Sequence, residues 1–150
     1  MIEEVDGMKK IVSWLVLLTV IALLLAGCSA KLDVDATIEM LQNEGLSLAT
    51  VYSTDRELAD GTSLINSEIS MMGGDFTVEL TDYALMIQTG YPAKNCQFFT
   101  FATEEQAAAY AELYAASRWV GSAWKIAQRG CVVVITNLDL VQELIELEFH

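Results

Sequence analysis

The second half of the chain alternates between the two hydrophobic periodicities that distinguish strands from helices. Residues 96–101 and 131–136 are short apolar runs bounded by turn residues, and residues 119–128 precede the second run as a hairpin partner. Residues 103–117, and the segment that ends near 147, carry apolar side chains at every third or fourth position, which is typical of amphipathic helices. The pattern predicts the order strand, helix, strand, strand, helix.

That order resembles most of the split β-α-β unit of ferredoxin-like folds. In such a unit the strands at 96–101 and 131–136 are antiparallel neighbours. We therefore expect an α+β fold, in which an antiparallel sheet has helices packed mainly on one face and the C-terminal part is ferredoxin-like. Because a fold of this kind supports many activities, the architecture alone does not predict a function.

The sequence pattern in the first half of the domain predicts five further elements before residue 90. In chain order they are a helix at 36–44, a strand at 46–53, a helix at 64–72, and strands at 76–80 and 83–89. Asp35 is placed to cap the first helix, and Gly45 to end it in the left-handed conformation. Residues 54–63 are rich in charged side chains and predict a loop or a single helical turn.

An apolar stretch near the N-terminus has a different character from the rest of the chain. Lys9 and Lys10 precede the apolar run 11–25, and small residues follow it. A positive segment, an apolar run and small residues, in that order, are typical of an export signal. The alternative is an uncleaved membrane helix, but the run is shorter than the roughly 20 residues that such a helix needs.

Residues 25–28, Leu-Ala-Gly-Cys, resemble the lipobox of bacterial lipoproteins, and the resemblance covers residues 8–28 only. It implies that the thiol of Cys28 receives a diacylglyceryl group and that signal peptidase II cuts between Gly27 and Cys28. The covalent diacylglycerol would be the only cofactor. Because two acyl chains anchor a protein stably, we expect a lipid-anchored protein on the extracytoplasmic face of the cell membrane.

The predicted cleavage divides the chain into three parts. Residues 1–27 are the signal peptide, although residues 1–7 are acidic and Met8 fits better as the start of the n-region. Residues 28–34 are the lipidated cysteine and a short tether. Residues 35–150 form a single α+β domain.

The charge balance narrows the range of partners. The chain has a formal net charge of −13, and the part after residue 27 keeps 18 acidic and six basic residues. Such a domain repels phosphate backbones and has no basic stripe, so no nucleic acid is expected as a partner. The membrane, through the lipid anchor, and an envelope protein remain as expected partners.

Histidine and cysteine offer little for catalysis. The sole histidine is His150 at the C-terminus, which removes His-dependent triads and most zinc sites from consideration. Cys96 and Cys131 could form a disulfide in an exported domain. In the predicted topology, however, they begin antiparallel neighbouring strands and lie at opposite ends of the sheet. The alternative is two buried thiols.

Asp55, Glu57 and Asp60 are the tightest group of carboxylates outside a strongly predicted helix. They are weak candidates for a calcium site or for an acid/base pair, although their spacing does not match an EF-hand. The simpler interpretation is a solvated loop in which Arg56 offsets part of the charge.

Aromatic and methionine residues suggest where a ligand or partner could bind. If helices cover only one face of the sheet, Phe98 and Trp124 could belong to an exposed ligand or partner face. Such aromatic residues more often form core. Met71 and Met72, just before Gly73, are either a soft contact surface or the end of a helix.

Together these patterns predict a non-catalytic, membrane-anchored extracytoplasmic lipoprotein that binds a protein or a small ligand at the cell envelope. Two alternatives remain. One is an assembly accessory that docks a membrane complex through a flat sheet face. The other is a cell-envelope hydrolase that uses two of Asp55, Glu57 and Asp60. The burial of these three carboxylates tests the hydrolase alternative, because acid/base catalysis needs a cleft and fully exposed carboxylates would exclude it.

Overall fold

The computed structural model describes residues 31–117 and 123–150. The predicted signal peptide, and with it Gly27 and Cys28, lies outside these residues. In chain order the described elements are α1 (Val34–Asn43), β1 (Leu46–Val51), α2 (Asp55–Met71), β2 (Leu80–Gln88), β3 (Tyr91–Phe101), α3 (Glu104–Ala116), β4 (Lys125–Arg129), β5 (Val132–Thr136) and α4 (Asp139–Leu144). None of the helices in this part of the chain is long and apolar enough to cross a bilayer.

The five strands form one antiparallel sheet in the order β1-β2-β3-β5-β4. Because β3 and β4 are each antiparallel to β5, they run parallel to one another, and α3 connects them. This is a split β-α-β unit with β5 inserted between its two parallel strands. The predicted α+β class and the ferredoxin-like C-terminal part are confirmed.

The two longest helices pack on one face of the sheet. There Ile65 and Ile69 of α2 and Tyr110 of α3 form a first core with Tyr83 and Phe99 from the sheet. The neighbouring strand positions point the other way, as the period of two requires. The larger share of the helical residues therefore lies on one face, as the sequence predicts.

The opposite face is covered by the two short helices. Leu41 of α1 and Val141 of α4 form a second core with Ala84, Met86 and Phe98 of the sheet. All five side chains are buried. The sheet thus has apolar packing on both of its faces.

Helix α2 starts nine residues earlier than the pattern predicts. The Oγ1 of Thr54 accepts a hydrogen bond from the Glu57 N–H at 3.2 Å, and Oε2 of Glu57 accepts one from the Thr54 N–H at 3.0 Å. This reciprocal capping box gives the helix a defined start. The charged residues after it, predicted as a loop or turn, are therefore the exposed first half of the helix.

The predicted strand at 76–80 does not form, because a side chain takes the place of a neighbouring strand. Asn66 of α2 accepts a hydrogen bond from the Val78 N–H at 2.8 Å and donates one to the Val78 carbonyl at 3.0 Å. The segment before β2 is therefore attached to the helix layer, and pairing with β3 begins only at Leu80.

The C-terminal residues also differ from the prediction. Helix α4 ends at Leu144, whereas the pattern predicts a helix that ends near residue 147, and no side chain caps its start. Asn137 instead binds β3, accepting a hydrogen bond from the Asn95 N–H at 2.9 Å. His150 exchanges two backbone hydrogen bonds with Ile126, at 3.1 and 2.9 Å. The last residues of the chain therefore extend along β4.

The two described cysteines are free. Cys96 is buried opposite Thr136, while the Cys131 carbonyl accepts a hydrogen bond from the Phe101 N–H at the other end of β3. This is the placement at opposite ends of the sheet that the topology predicts. Burial raises the pKa of the Cys96 thiol to about 12.

Candidate ligand-binding pocket

A continuous row of aromatic rings crosses the first core from β1 to α3. Neighbouring ring centroids are 4.5 Å apart for Tyr52 and Tyr83, 5.0 Å for Tyr83 and Phe99, 6.1 Å for Phe99 and Tyr110, and 6.0 Å for Tyr110 and Tyr114. These separations are typical of favourable aromatic pairs. The row has a simple local origin, since Tyr83 pairs with Phe99 in the sheet and the last two tyrosines are one helical turn apart.

Glu68 lies beside this row as a half-buried carboxylate. It belongs to α2 and is flanked in sequence by Ile69, which is fully buried. The Tyr110 hydroxyl donates a hydrogen bond to Oε2 of Glu68 at 3.4 Å, which is long for an O–H···O contact. Among the residues that the structure describes, the one ion pair joins Arg56 to Asp60. No described Lys or Arg therefore neutralises Glu68.

The electrostatic effects around Glu68 follow from its burial. Loss of solvent raises the pKa of the Glu68 carboxyl, and the hydrogen bond from Tyr110 opposes this effect as a smaller influence. Burial is also the main reason why the pKa of Tyr83 is raised to about 12 and the pKa of Tyr114 is raised. The nearby Glu68 charge adds to both increases, so these groups share one poorly solvated environment.

Glu68 opens into a pocket of about 270 Å³ whose other lining residues are Met71, Met72 and Tyr114. Met71 is 62% exposed and lies at the rim, while Met72 and Tyr114 are half-buried. The pocket therefore has apolar walls and one charged group. Ligand sites commonly combine these features, and a carboxyl with a shifted pKa in such a site is a functional candidate.

Gly74 allows the chain that follows α2 to pass close to α3 beside this pocket. A Cβ atom at this position would lie 2.6 Å from Cγ2 of Ile69 and 2.8 Å from Cδ2 of Leu113. Both distances are too short for real carbon contacts. A side chain at this position would therefore push the chain that follows α2 away from α3.

The three carboxylates singled out in the sequence do not form a cleft of their own. Asp55, Glu57 and Asp60 are all exposed along the first two turns of α2. Glu57 is engaged in capping, and the Ser53 N–H, which donates to it at 2.8 Å, is the main reason why its pKa is lowered. No group of three or more potential metal-ligating side chains occurs in residues 31–117 and 123–150.

The two aromatic candidates lie in different environments. Phe98 is 1% exposed within the second core, because α1 and α4 cover the face that was expected to be wet. Its side chain therefore does not belong to an exposed ligand or partner face. Trp124 is half-buried against the first core.

Three larger hollows differ from the Glu68 pocket in their lining residues. The largest, about 700 Å³, lies between residues 31–35 and the ends of β2, β3 and β5. A second, about 690 Å³, includes Asp55 and Glu79, which are both exposed. A third, about 640 Å³, is lined by small alanines of α3 and the C-terminal residues. None of the three contains a half-buried carboxylate.

The sequence did not identify Glu68. Its one usable signal is its position next to Ile69 and one turn before Met72, on the apolar side of the predicted helix. The two methionines, considered as a soft contact surface, do line the pocket. Tyr110 and Tyr114 lie one turn apart in the predicted helix at 103–117, but nothing in the sequence places them beside Glu68.

No protein-family model, no curated protein and no solved structure matches this chain.

Proposed function

We propose that this chain is a lipid-anchored lipoprotein of the cell envelope whose domain binds a small ligand in the pocket around Glu68. The observation that carries the binding function is a half-buried carboxylate, without an ion-pair partner among the described residues, that lines a pocket together with two methionines and a tyrosine. Burial of a charge costs free energy. A ligand that completes its interactions would recover part of that cost.

The lipobox-like residues 25–28 support the anchor. Lys31 follows Cys28 by three residues, at most about 10 Å of extended chain. Residues 31–35 share a hollow with Phe101 and Ala102, immediately before α3. Tyr114 is ten residues along α3, or about 15 Å from its start. The ligand pocket therefore lies toward the end of the domain that points away from the membrane.

The anchor is tested by metabolic labelling with an alkyne-tagged fatty acid in a bacterial host. We expect the full chain to take up the label and to fractionate with membranes. The Cys28→Ser variant should lose the label. A Cys28→Ser variant that is labelled and membrane-bound to the same extent would refute the anchor.

Ligand binding is tested by thermal unfolding in the presence of fractionated small-molecule extracts from the host. A ligand that binds only the native state raises the melting temperature by mass action. We expect an active fraction to stabilise the wild-type protein but not the Glu68→Gln variant. Glu39→Gln is the matched control, because Glu39 is exposed on α1 and loses the same charge. If no fraction separates the two variants, the pocket is not the ligand site.

A protein partner is a second candidate, favoured by one observation. Leu64 and Met71 are 58% and 62% exposed and lie seven residues apart on α2, on the same side as Glu68. Exposed apolar residues around a pocket can form the centre of an interface. A photo-crosslinking residue at Leu64, compared with one at Glu39, should capture a specific envelope protein if this candidate is correct.

A further inference from the structure

We propose that the Glu68 pocket recognises the alkylammonium group of a soluble small molecule. The inference rests on the proposed ligand-binding function and adds the chemical class of the ligand. It follows from three properties of the pocket: the sign of its single charge, the nature of its walls and its size.

The charge comes first. Glu68 has two carboxylate oxygens, which can accept about four hydrogen bonds. The structure gives it one, from Tyr110 at 3.4 Å. No basic side chain among the described residues approaches it closely enough to form an ion pair. The group that complements Glu68 is therefore a cation with hydrogen-bond donors or a diffuse positive charge, whereas an anion would be repelled.

The walls distinguish an organic cation from a metal ion. Calcium and magnesium prefer six or more oxygen ligands, or several ordered waters, and the pocket lining offers one carboxylate. The remaining lining residues are Tyr114, Met71 and Met72. An aromatic face attracts an ammonium group, and thioether sulfur is polarizable and adapts to irregular shapes. These walls suit a charged nitrogen that carries carbon substituents.

The size of the pocket sets how much of the ligand it holds. A volume of about 270 Å³ lies just below the range of roughly 300–1,000 Å³ that is common for drug-sized ligands. The pocket therefore accommodates one functional group rather than a whole large molecule. The formal net charge of −13 also raises the local concentration of cations around the protein, most strongly at low ionic strength.

The test uses the full chain in micelles of a neutral detergent, with choline as the probe. The matched ligand is the neutral isostere of choline, in which a quaternary carbon replaces the nitrogen. Methyl NMR signals of Met71 and Met72, assigned by substitution, report on occupancy. We expect choline to shift both signals saturably and to bind about tenfold or more tightly than the isostere, consistent with a cation near an aromatic ring.

Substitutions in the pocket test which side chains cause the preference for choline over its neutral isostere. Glu68→Gln should weaken choline binding by about tenfold, and Tyr114→Leu by several-fold. Glu39→Gln, which removes the same charge from the exposed face of α1, should stay within about twofold of the wild type. Equal affinity for choline and its isostere would overturn the proposal. So would equal losses in the Glu68 and Glu39 variants, because the preference would then reflect only the overall charge.

Two further outcomes would also overturn it. Arg118 lies outside the described residues and follows Tyr114 by four positions in the sequence. If choline binds only after Arg118→Gln, the chain's own guanidinium is the cation for Glu68. If phosphatidylcholine vesicles shift the Met71 and Met72 signals and free choline does not, the source is a membrane lipid. The proposed function survives a negative choline result if a Glu68-dependent fraction is found in the extracts.

Discussion

At the scale of single residues, the most informative group is the carboxyl of Glu68. The groups that face it are the phenols of Tyr83, Tyr110 and Tyr114, whose pKa values are all raised. These phenols stay neutral at pH 7 and do not compensate the Glu68 charge. The folded state therefore binds the Glu68 proton more tightly than the unfolded state does, because burial raises the pKa above its ordinary value of 4.5.

The sign of the resulting pH dependence is fixed by linkage. Below pH 4.5 both states carry the protonated acid, and burial of Glu68 costs little. As the pH rises toward the folded-state pKa, the unfolded state ionises first, so the free energy of unfolding declines. We expect Glu68→Gln to be more stable than the wild type in urea at pH 7 and nearly equal to it below pH 4.5. Glu39→Gln should show no such crossover, and a stability gain confined to acidic pH would contradict this account.

Asn66 illustrates a residue whose role depends on distant backbone. It supplies both a donor and an acceptor to Val78, which lies 12 positions later. Asn66→Ala would leave both backbone groups of Val78 without this partner, and we expect a loss of about 2–4 kcal/mol, since each unsatisfied buried group costs about 1–3 kcal/mol. Asn66→Asp keeps the acceptor and loses the donor, so its free energy of unfolding should lie between those of the wild type and Asn66→Ala. Ser67→Ala, on the exposed side of α2, is the control for urea unfolding, and an equal loss there would contradict the assignment.

At the scale of elements, sequence reasoning succeeded where the determining chemistry is local. Thr103 caps α3, with its hydroxyl accepting from the Gln106 N–H at 3.2 Å, and Gly45 has a φ of +97°. Both follow from a few adjacent residues. The start of α2 has an equally local capping box at Thr54, but the charged residues after it and Gly61 obscured the helical pattern.

The same reasoning failed where an element depends on a remote contact. Gln106 stands at the position that would complete a capping box with Thr103, yet its side chain accepts a hydrogen bond from the Glu79 N–H at 2.9 Å. Phe98 was a candidate for an exposed face on the condition that helices cover only one face of the sheet. The helices that cover it, α1 and α4, come from the two ends of the domain and are far from it in sequence. The site itself joins Glu68 to Tyr110, 42 positions apart. Periodicity places each residue on its own helix and contains no information about which helices meet.

Gly61 gives a prediction at this scale because its position reverses the usual effect of alanine. In a helix interior, Gly→Ala normally stabilises by up to about 1 kcal/mol. Here the new Cβ would lie 2.6 Å from Cε2 of Tyr52, whose ring is packed against Tyr83. We expect Gly61→Ala to destabilise by about 1–3 kcal/mol. In a Tyr52→Ala background the same change should become stabilising, and additive effects in this double-mutant cycle would contradict the steric explanation.

At the scale of the whole molecule, the two edge strands of the sheet, β1 and β4, differ in how their free backbone side is protected. The backbone of His150 pairs with Ile126 on β4. The β1 edge instead contains a register shift between Leu48 and Thr50, with exposed side chains on both sides of it. Bulges of this kind discourage pairing of edges between molecules. The pocket lies away from both edges, on the α2 and α3 side of the sheet.

The orientation of the domain on a membrane follows from the proposed anchor and the length of β3. Tyr91 pairs with Gln88 and Phe101 pairs with Leu80, at opposite ends of β2, so the two residues are about 25 Å apart at 3.3 Å per residue. Residues 31–35 lie near the Phe101 end, together with the exposed Thr81. A donor dye on a cysteine at position 81 should therefore transfer more energy to acceptor dyes in vesicle head groups than a donor at position 91.

Selective labelling is possible because the thiol of Cys96 is buried and its raised pKa, about 12, keeps it protonated. A Cys131→Ser background then leaves the introduced cysteine as the reactive thiol of the domain. With Cys28 lipidated, transfer from position 81 should exceed transfer from position 91. Without lipid and signal peptide, in a chain that begins at Ser29 and carries the same donor dyes, transfer from both positions should fall together, because an acidic domain has little affinity for the bilayer surface. Greater transfer from position 91 would mean that the pocket end faces the membrane, and a soluble ligand would then have to enter beneath the domain.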